Sequence, residues 1–236
     1  MQTNNAIKET AKKIGSSATF KLITICALIL VLLIPTSMVT SLIHERKGRR
    51  QGVIDEINYK WGRAQTVTGP VITVPYLKYI EDKDGTTTSV TKYMHILPDT
   101  VDIKCQITPE VRYRGIYEAI LYNTTLSIDG LFPQAPLEDL RIPAENIEWS
   151  GAFISFGITD MRGIKDRIDA TFDGTRLSME PGVETADVIK SGVSADIGLD
   201  DTRKSYPFHF ALNLNGSRQI HFAPVGKVTT VTARSA

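Results

Sequence analysis

The sequence predicts a mainly β protein behind a membrane anchor: one N-terminal transmembrane α-helix, then an antiparallel β-sandwich or open-barrel-like domain. Three observations carry this. Leu22 to Ile43 contains no charged residue. From Trp61 onward the texture changes to short β-like runs separated by Pro, Gly and Asn. Asp-Gly pairs between such runs supply the positive φ that tight hairpins need.

The uncharged run sets the first element. Its 22 residues make a helix about 33 Å long, enough to cross a hydrocarbon core of about 30 Å. Pro35 would break a soluble helix, whereas in a span Thr36, Ser37 or a neighbouring helix can satisfy the carbonyl it frees. A cleaved signal peptide has an apolar core of about 7–15 residues and a small-residue cleavage site. Here the core is longer, and His44-Glu45-Arg46-Lys47-Gly48-Arg49-Arg50 follows it. Cys26 lacks the small residues that a lipidation signal places before it. The uncleaved anchor is therefore the expectation. Basic residues lie on both sides of the span, Lys8, Lys12, Lys13 and Lys21 before it and Arg46, Lys47, Arg49, Arg50, Lys60 and Arg63 after it. Counting alone favours the C-terminal side as cytoplasmic, but long domains translocate largely regardless of charge, so the residues leave the orientation undecided.

Residues 1–21 read as a polar tail, 22–43 as the span and 44–61 as a juxtamembrane amphipathic helix. In the last of these, Val53, Ile54, Ile57 and Trp61 recur at helical spacing. A helix packed on its own domain is preferred there over one lying in the lipid surface. Residues 62–236 form the β-rich domain. Gly69-Pro70 is expected to be a turn or bulge that forbids a continuous central strand. Asp82-Lys83-Asp84-Gly85 closes a hairpin between Tyr76–Ile80 and Thr86–Tyr93. Val101 to Ile107 alternates, which turns Cys105 toward the core as inert packing. Thr124 to Phe132 is a strand, Glu145 to Ser150 a turn of helix, and Phe153 to Ile158 a buried strand. Thr171 to Leu177 is a second Asp-Gly hairpin, and Glu180-Pro181-Gly182 a turn.

Near the C-terminus Phe208, Phe210, Leu212 and Leu214 share one face. A three-residue loop at Asn215-Gly216-Ser217 would pair Leu214 with Arg218, Leu212 with Ile220 and Phe210 with Phe222. That register sets His209 and His221 diagonally on the polar face. Two imidazoles without a convergent carboxylate fall short of the three or four ligands a metal needs. No metal or other cofactor is expected.

Chemistry-bearing patterns are sparse. The net charge is +1, so no global field recruits nucleic acid, and the basic clusters flanking the span suit headgroups. No phosphate loop, His-Glu-x-x-His, nucleophile elbow or Cys-x-x-Cys occurs in the sequence. Asp160 and Arg162, beside Gly163, form a candidate polar-contact motif; an ion pair pinning a strand end is the preferred reading over a ligand site. Arg112 and Arg114 with Tyr113 and Tyr117 can contact a phosphate or sugar; a solvated strand face is preferred.

The motifs also form an ordered set. Ile43-His44-Glu45-Arg46 is followed by Trp61-Gly62-Arg63-Ala64-Gln65-Thr66-Val67-Thr68-Gly69-Pro70-Val71-Ile72-Thr73-Val74-Pro75-Tyr76. Next come His95-Ile96-Leu97-Pro98, Tyr113-Arg114-Gly115-Ile116-Tyr117, Asp129-Gly130-Leu131-Phe132 and Asp160-Met161-Arg162-Gly163. Glu180-Pro181-Gly182 and Leu212-Asn213-Leu214-Asn215-Gly216 complete the series. This set resembles the CreD inner-membrane family, associated with cell envelope integrity. The resemblance implies an inner-membrane protein with a cytoplasmic N-terminus and a periplasmic β domain. Family members continue into more periplasmic sequence and several further membrane helices. The chain is therefore expected to be a fragment or truncated gene product, with its β domain incomplete at the C-terminus. The resemblance carries no catalytic residues.

The leading expectation is a non-enzymatic envelope protein, involved in envelope integrity or the envelope stress response. Its partners are the lipid bilayer and other envelope or inner-membrane proteins. Two alternatives stand beside it. One is a membrane-tethered periplasmic hydrolase built on Asp160, Arg162 and His209 or His221. The other is a periplasmic sensory domain.

Overall fold

The computed structural model describes residues 18–81, 84, 87–134, 142–199 and 203–235. The chain divides into two compact units, residues 1–53 and 54–236.

In the first unit the described residues belong to α1 (Ala18–Trp61), whose last turns, from Ile54, belong to the second. Its apolar stretch is long enough to cross a membrane, and its side chains point outward and exposed. That exposure suits lipid, where backbone polar groups must be satisfied within the helix. Pro35 removes the N–H that would reach the carbonyl of Val31. The neighbouring hydroxyls do not replace it: Thr36 Oγ1 donates to the Leu32 carbonyl and Ser37 Oγ to that of Ile34.

The second unit is a sandwich of two six-stranded sheets. Its strands are β1 (Gln65–Glu81), β2 (Thr87–Ile96), β3 (Thr100–Arg114), β4 (Tyr117–Pro133), β5 (Phe153–Ile158) and β6 (Asp169–Phe172). They continue as β7 (Thr175–Leu177), β8 (Glu180–Pro181), β9 (Gly192–Asp196), β10 (Ser205–Ser217), β11 (Ile220–Ala223) and β12 (Val228–Ser235). One sheet runs β11-β1-β5-β9-β8, with β2 also paired to β1; the other runs β12-β3-β4-β10-β6-β7. Most pairings are antiparallel. Two are parallel, β1 with β11 and β3 with β12.

Side-chain alternation builds the core. Along β10, Tyr206, Phe208, Phe210, Leu212 and Leu214 all point inward and are buried. All six residues of β5 are buried, as befits a strand with neighbours on both edges and cover on both faces. Phe156 of β5 stacks on Phe210 of β10 at 5.1 Å between centroids, joining the two sheets. Phe132 packs on Phe208 at 5.0 Å. Each such ring contributes about 1.5–3 kcal/mol by leaving water. Cys105 is buried in this core beside Thr124 Oγ1, at 3.1 Å, and burial pushes its thiol up.

The Asp173-Gly174 turn has both φ angles positive, 49° and 76°, which closes β6 onto β7 in the two-residue geometry. The β1–β2 hairpin pairs Glu81 with Thr87; of its expected turn, Asp82, Lys83 and Gly85 lie outside the described residues. Two short 3-10 turns, Ala144–Asn146 and Trp149–Gly151, occupy the region expected to hold helix. Glu180-Pro181 is a short edge strand, with the turn at Gly182.

Two expectations are corrected. Gly69-Pro70 does not interrupt β1: the strand continues and takes up the pair as a register shift against β5 between Thr68 and Val71. Gly69, at φ 101°, supplies the conformation that such a bulge requires. Nor do β10 and β11 form a hairpin. Asn215-Gly216-Ser217 stays in strand, paired to Asn123, Tyr122 and Leu121 of β4. Gly216 is there because the Tyr122 ring lies against it: a Cβ would stand 2.2 Å from the tyrosine oxygen. The chain turns at Arg218, φ 65°, and crosses to the other sheet, where Ile220 pairs with Gln65.

Candidate functional site

Polar chemistry concentrates where the last turns of α1 enter the sandwich. Gly62, at φ 147°, ends the helix tightly against the Asn215 carbonyl, 2.7 Å from where a Cβ would sit. The chain then passes Arg63 and Ala64 into β1. Gln65 is fully buried at the start of β1, and its amide does the work of a backbone pair. Its Oε1 accepts from Asp160 N at 3.1 Å, and its Nε2 donates to Asp160 O at 2.9 Å and Asn215 O at 3.1 Å.

Asp160 lies beyond the end of β5 and caps a short 3-10 turn, Met161–Gly163. Its Oδ1 accepts from Arg162 N at 3.2 Å and Arg162 Nε at 2.8 Å. Its Oδ2 accepts from Arg162 Nη2 at 2.8 Å and Arg63 N at 3.0 Å. A carboxylate offers about four acceptor positions, so all of them are occupied. The Arg162 guanidinium, then the Arg63 and Arg162 amides, hold this carboxyl below its usual range against the opposing effect of burial. The outer face of the Arg162 guanidinium covers the Tyr59 ring at 4.0 Å, with Arg63 farther off at 5.4 Å. Gly163 allows the close approach: a Cβ would fall 2.3 Å from Asn215 O and 2.4 Å from Gln65 Nε2.

A second cluster adjoins the same helical turns. β3 and β4 form a long hairpin arm whose tip is Gly115-Ile116. One face of the arm covers the helix. The Arg112 guanidinium lies over the Trp61 ring at 4.9 Å and pairs with Glu110 at 2.5 Å. Arg114 forms an ion pair with Glu56, which also meets Lys60 at 3.2 Å. These cations hold the Glu56 carboxyl low, Arg114 having the larger effect. Trp61 Nε1 donates to the Tyr122 carbonyl at 3.4 Å. An open groove of about 300 Å³ runs here between Ile57, Lys60 and Trp61 of the helix and Arg112, Arg114 and Leu121 of the arm.

The structure thus joins Asp160 to Arg162, and sets Arg114 opposite Tyr117 across the hairpin tip. It gives these two pairs different partners. His209 and His221 fall in different sheets, correcting their expected adjacency. His209 Nδ1 meets Asp129 Oδ1 at 2.7 Å, and Ser127 donates to the other oxygen of that carboxylate at 3.2 Å. Among the described residues no group of three or more potential ligands could hold a metal ion. Glu56, Tyr59 and Gln65 are the residues that sequence reasoning missed. Tyr59 and Glu56 fall on the polar side of a helical repeat, and Gln65 reads as an ordinary strand residue.

The family model described as inner membrane protein CreD matches residues 17–236. The inner membrane protein CreD of Escherichia coli (strain K12) is 28% identical over 220 residues, covering 92% of this chain and 48% of that protein. The chain thus spans about half the length of the curated relative it matches. No solved structure matches. With an apolar N-terminal helix, a β sandwich and a match across nearly its whole length, the chain belongs to the CreD family of inner membrane proteins.

Proposed function

We propose that the chain is a non-enzymatic component of the bacterial envelope, anchored in the inner membrane with its N-terminus in the cytoplasm and its β unit in the periplasm. There it supports envelope integrity or the envelope stress response through contacts with the bilayer and with other envelope proteins. The observation that carries this reading is the saturation of Asp160. An acid–base or nucleophilic role needs a carboxyl free to exchange a proton with a substrate or base. This one accepts from Arg162 and Arg63 at every position. That arrangement favours a structural pair over the hydrolase alternative, and the imidazole of His209 is turned to Asp129.

The test combines topology with phenotype. A Ser89→Cys variant in a Cys26→Ser background, expressed in a Gram-negative host, is treated with a membrane-impermeant maleimide. Labelling of intact spheroplasts supports a periplasmic sandwich; labelling only after lysis overturns it. Loss of the gene in its own host is expected to lower tolerance to bile salts, restored by the plasmid-borne gene. Unchanged tolerance overturns the envelope role.

A further inference from the structure

The sheet that begins with β12, β3 and β4 carries a polar depression on the face turned away from the core. Val101, Ile103 and Cys105 are buried on the core side of β3, so Lys104 and Gln106 point outward. The ladder sets Thr232 and Ser127 on either side of Lys104, and Arg234 and Thr125 on either side of Gln106. These side chains line an open groove of about 390 Å³, a size within the range of small-molecule pockets. At ordinary strand spacings their grid measures about 10 Å across the strands and about 7 Å along them.

The partners around the groove fix where its hydrogens go. A carboxylate only accepts, so the Ser127 hydroxyl donates to Asp129, at 3.2 Å. Asn213 gives its amide hydrogens to Asp166 at 3.1 Å, which leaves Asn213 Oδ1 to accept from Thr125 at 2.9 Å. Both hydroxyl hydrogens are thus committed to residues outside the lining, and both oxygens offer the groove lone pairs. Donors come from the other two strands. Lys104 meets Asp102 at 3.5 Å and has three hydrogens to give. Among the described residues Arg234 meets no carboxylate, and the Gln106 amide and Thr232 hydroxyl have no side-chain partner. Lys104 and Arg234 stand about 8 Å apart at the backbone, a separation that two long side chains close on one oxyanion. The carboxylates of the neighbouring row are already engaged, Asp102 by Lys104 and Asp129 by His209 at 2.7 Å.

Cations on one side and lone pairs on the other match a ligand with both an anionic group and hydroxyl donors. We propose that this groove binds an anionic saccharide, its carboxylate or phosphate between Lys104 and Arg234 and its hydroxyls donating to Thr125 and Ser127. A bare anion leaves the two hydroxyl oxygens unmatched, and a neutral sugar leaves the two cations unmatched. Such binding needs neither the envelope role nor a given side of the membrane.

The full chain, in phosphatidylcholine nanodiscs that carry no net charge, is titrated calorimetrically with tri-galacturonate and with glucose 6-phosphate. Maltotriose and inorganic phosphate are the controls. Saturable binding of at least one anionic sugar is expected, and which one binds tells a carboxylate head from a phosphate. Lys104→Gln and Arg234→Gln, both at exposed positions, are each expected to weaken it about tenfold. Thr125→Val is expected to weaken it several-fold by removing a lone-pair oxygen. Binding of neither sugar overturns the proposal. So does binding that both charge variants leave unchanged, which puts the sugar elsewhere. Inorganic phosphate or maltotriose binding as tightly as the anionic sugars overturns it too, since the groove then reads only half of the ligand. Tolerance to bile salts is a separate readout, so none of these outcomes bears on the envelope role.

Discussion

The two hairpin arms, β1–β2 and β3–β4, look alike in sequence and differ in what holds them. Each runs out beyond the core and exposes apolar side chains, Tyr79 and Ile80 on one, Tyr113 and Ile116 on the other. The β1–β2 arm makes its last contacts with the rest of the sandwich near its root: Tyr76 bridges to Ile147, and the Tyr93 ring meets Phe153 edge-on. Past Tyr76, among the described residues, no ion pair ties it to another element. The β3–β4 arm is clamped almost to its tip by Trp61, which meets Arg112 and the Tyr122 carbonyl, and by Glu56, which meets Arg114. Cross-strand pairing alone builds an arm; its direction is imposed by partners outside the sheet. In this protein those partners come from the last turns of α1, whose seat is the Asp160 network.

The sharpest way to break the contrast is to remove that seat. Asp160→Ala leaves the Arg162 guanidinium and the Arg63 N–H without their acceptor. A loss of about 2–4 kcal/mol in the unfolding free energy of the detergent-solubilised chain is expected. The same carboxyl sets a pH dependence. Its folded value lies below the ordinary 3.8, so its contribution is fully present above that pH and is lost as the pH falls through the folded value. The unfolding midpoint of the wild type is expected to drop on acidification below about pH 4, while Asp160→Asn starts lower and shows a flatter acid limb. Trp61→Ala comes next, at about 1–2 kcal/mol, since the ring is only partly buried. Hydrogen exchange is expected to speed up at residues 110–120 and to stay unchanged at 77–92. Equal acceleration in both arms would erase the distinction. Glu56→Gln is expected to leave overall stability unchanged and to accelerate exchange only near Arg114. Smallest of all, Ile116→Ser and Tyr79→Ser are each expected to stay within about 0.5 kcal/mol of wild type, because neither side chain is buried.

What the sequence announced, and what it hid, follows the range of the interactions. The inward face of β10, the buried run of β5 and the Asp173-Gly174 turn are written in neighbouring residues, and the structure has them where the pattern sets them. Asn215-Gly216-Ser217 carries the same letters as a turn, yet the glycine answers to Tyr122, which lies 94 positions earlier and presses against it. The true corner, Arg218, has a positive φ that no residue preference signals. At the candidate site the closeness of Asp160 and Arg162 was legible from their spacing. Their partners were not. Gln65 and Tyr59 reach them across some hundred residues, and a buried glutamine amide bridging backbone groups has no local signature.

The crossing at Arg218 also bears on how the protein comes to be made. β11 and β12 lie against strands laid down far earlier, β1 and β3, and both pairings are parallel. Until residues 220–235 have been added, those two older strands each keep an open stretch of edge. Pairings this distant in sequence form late and slowly, and an open edge invites pairing with other chains. Until β11 and β12 are in place the sandwich is thus a structure waiting for its final stitches, and needs shelter.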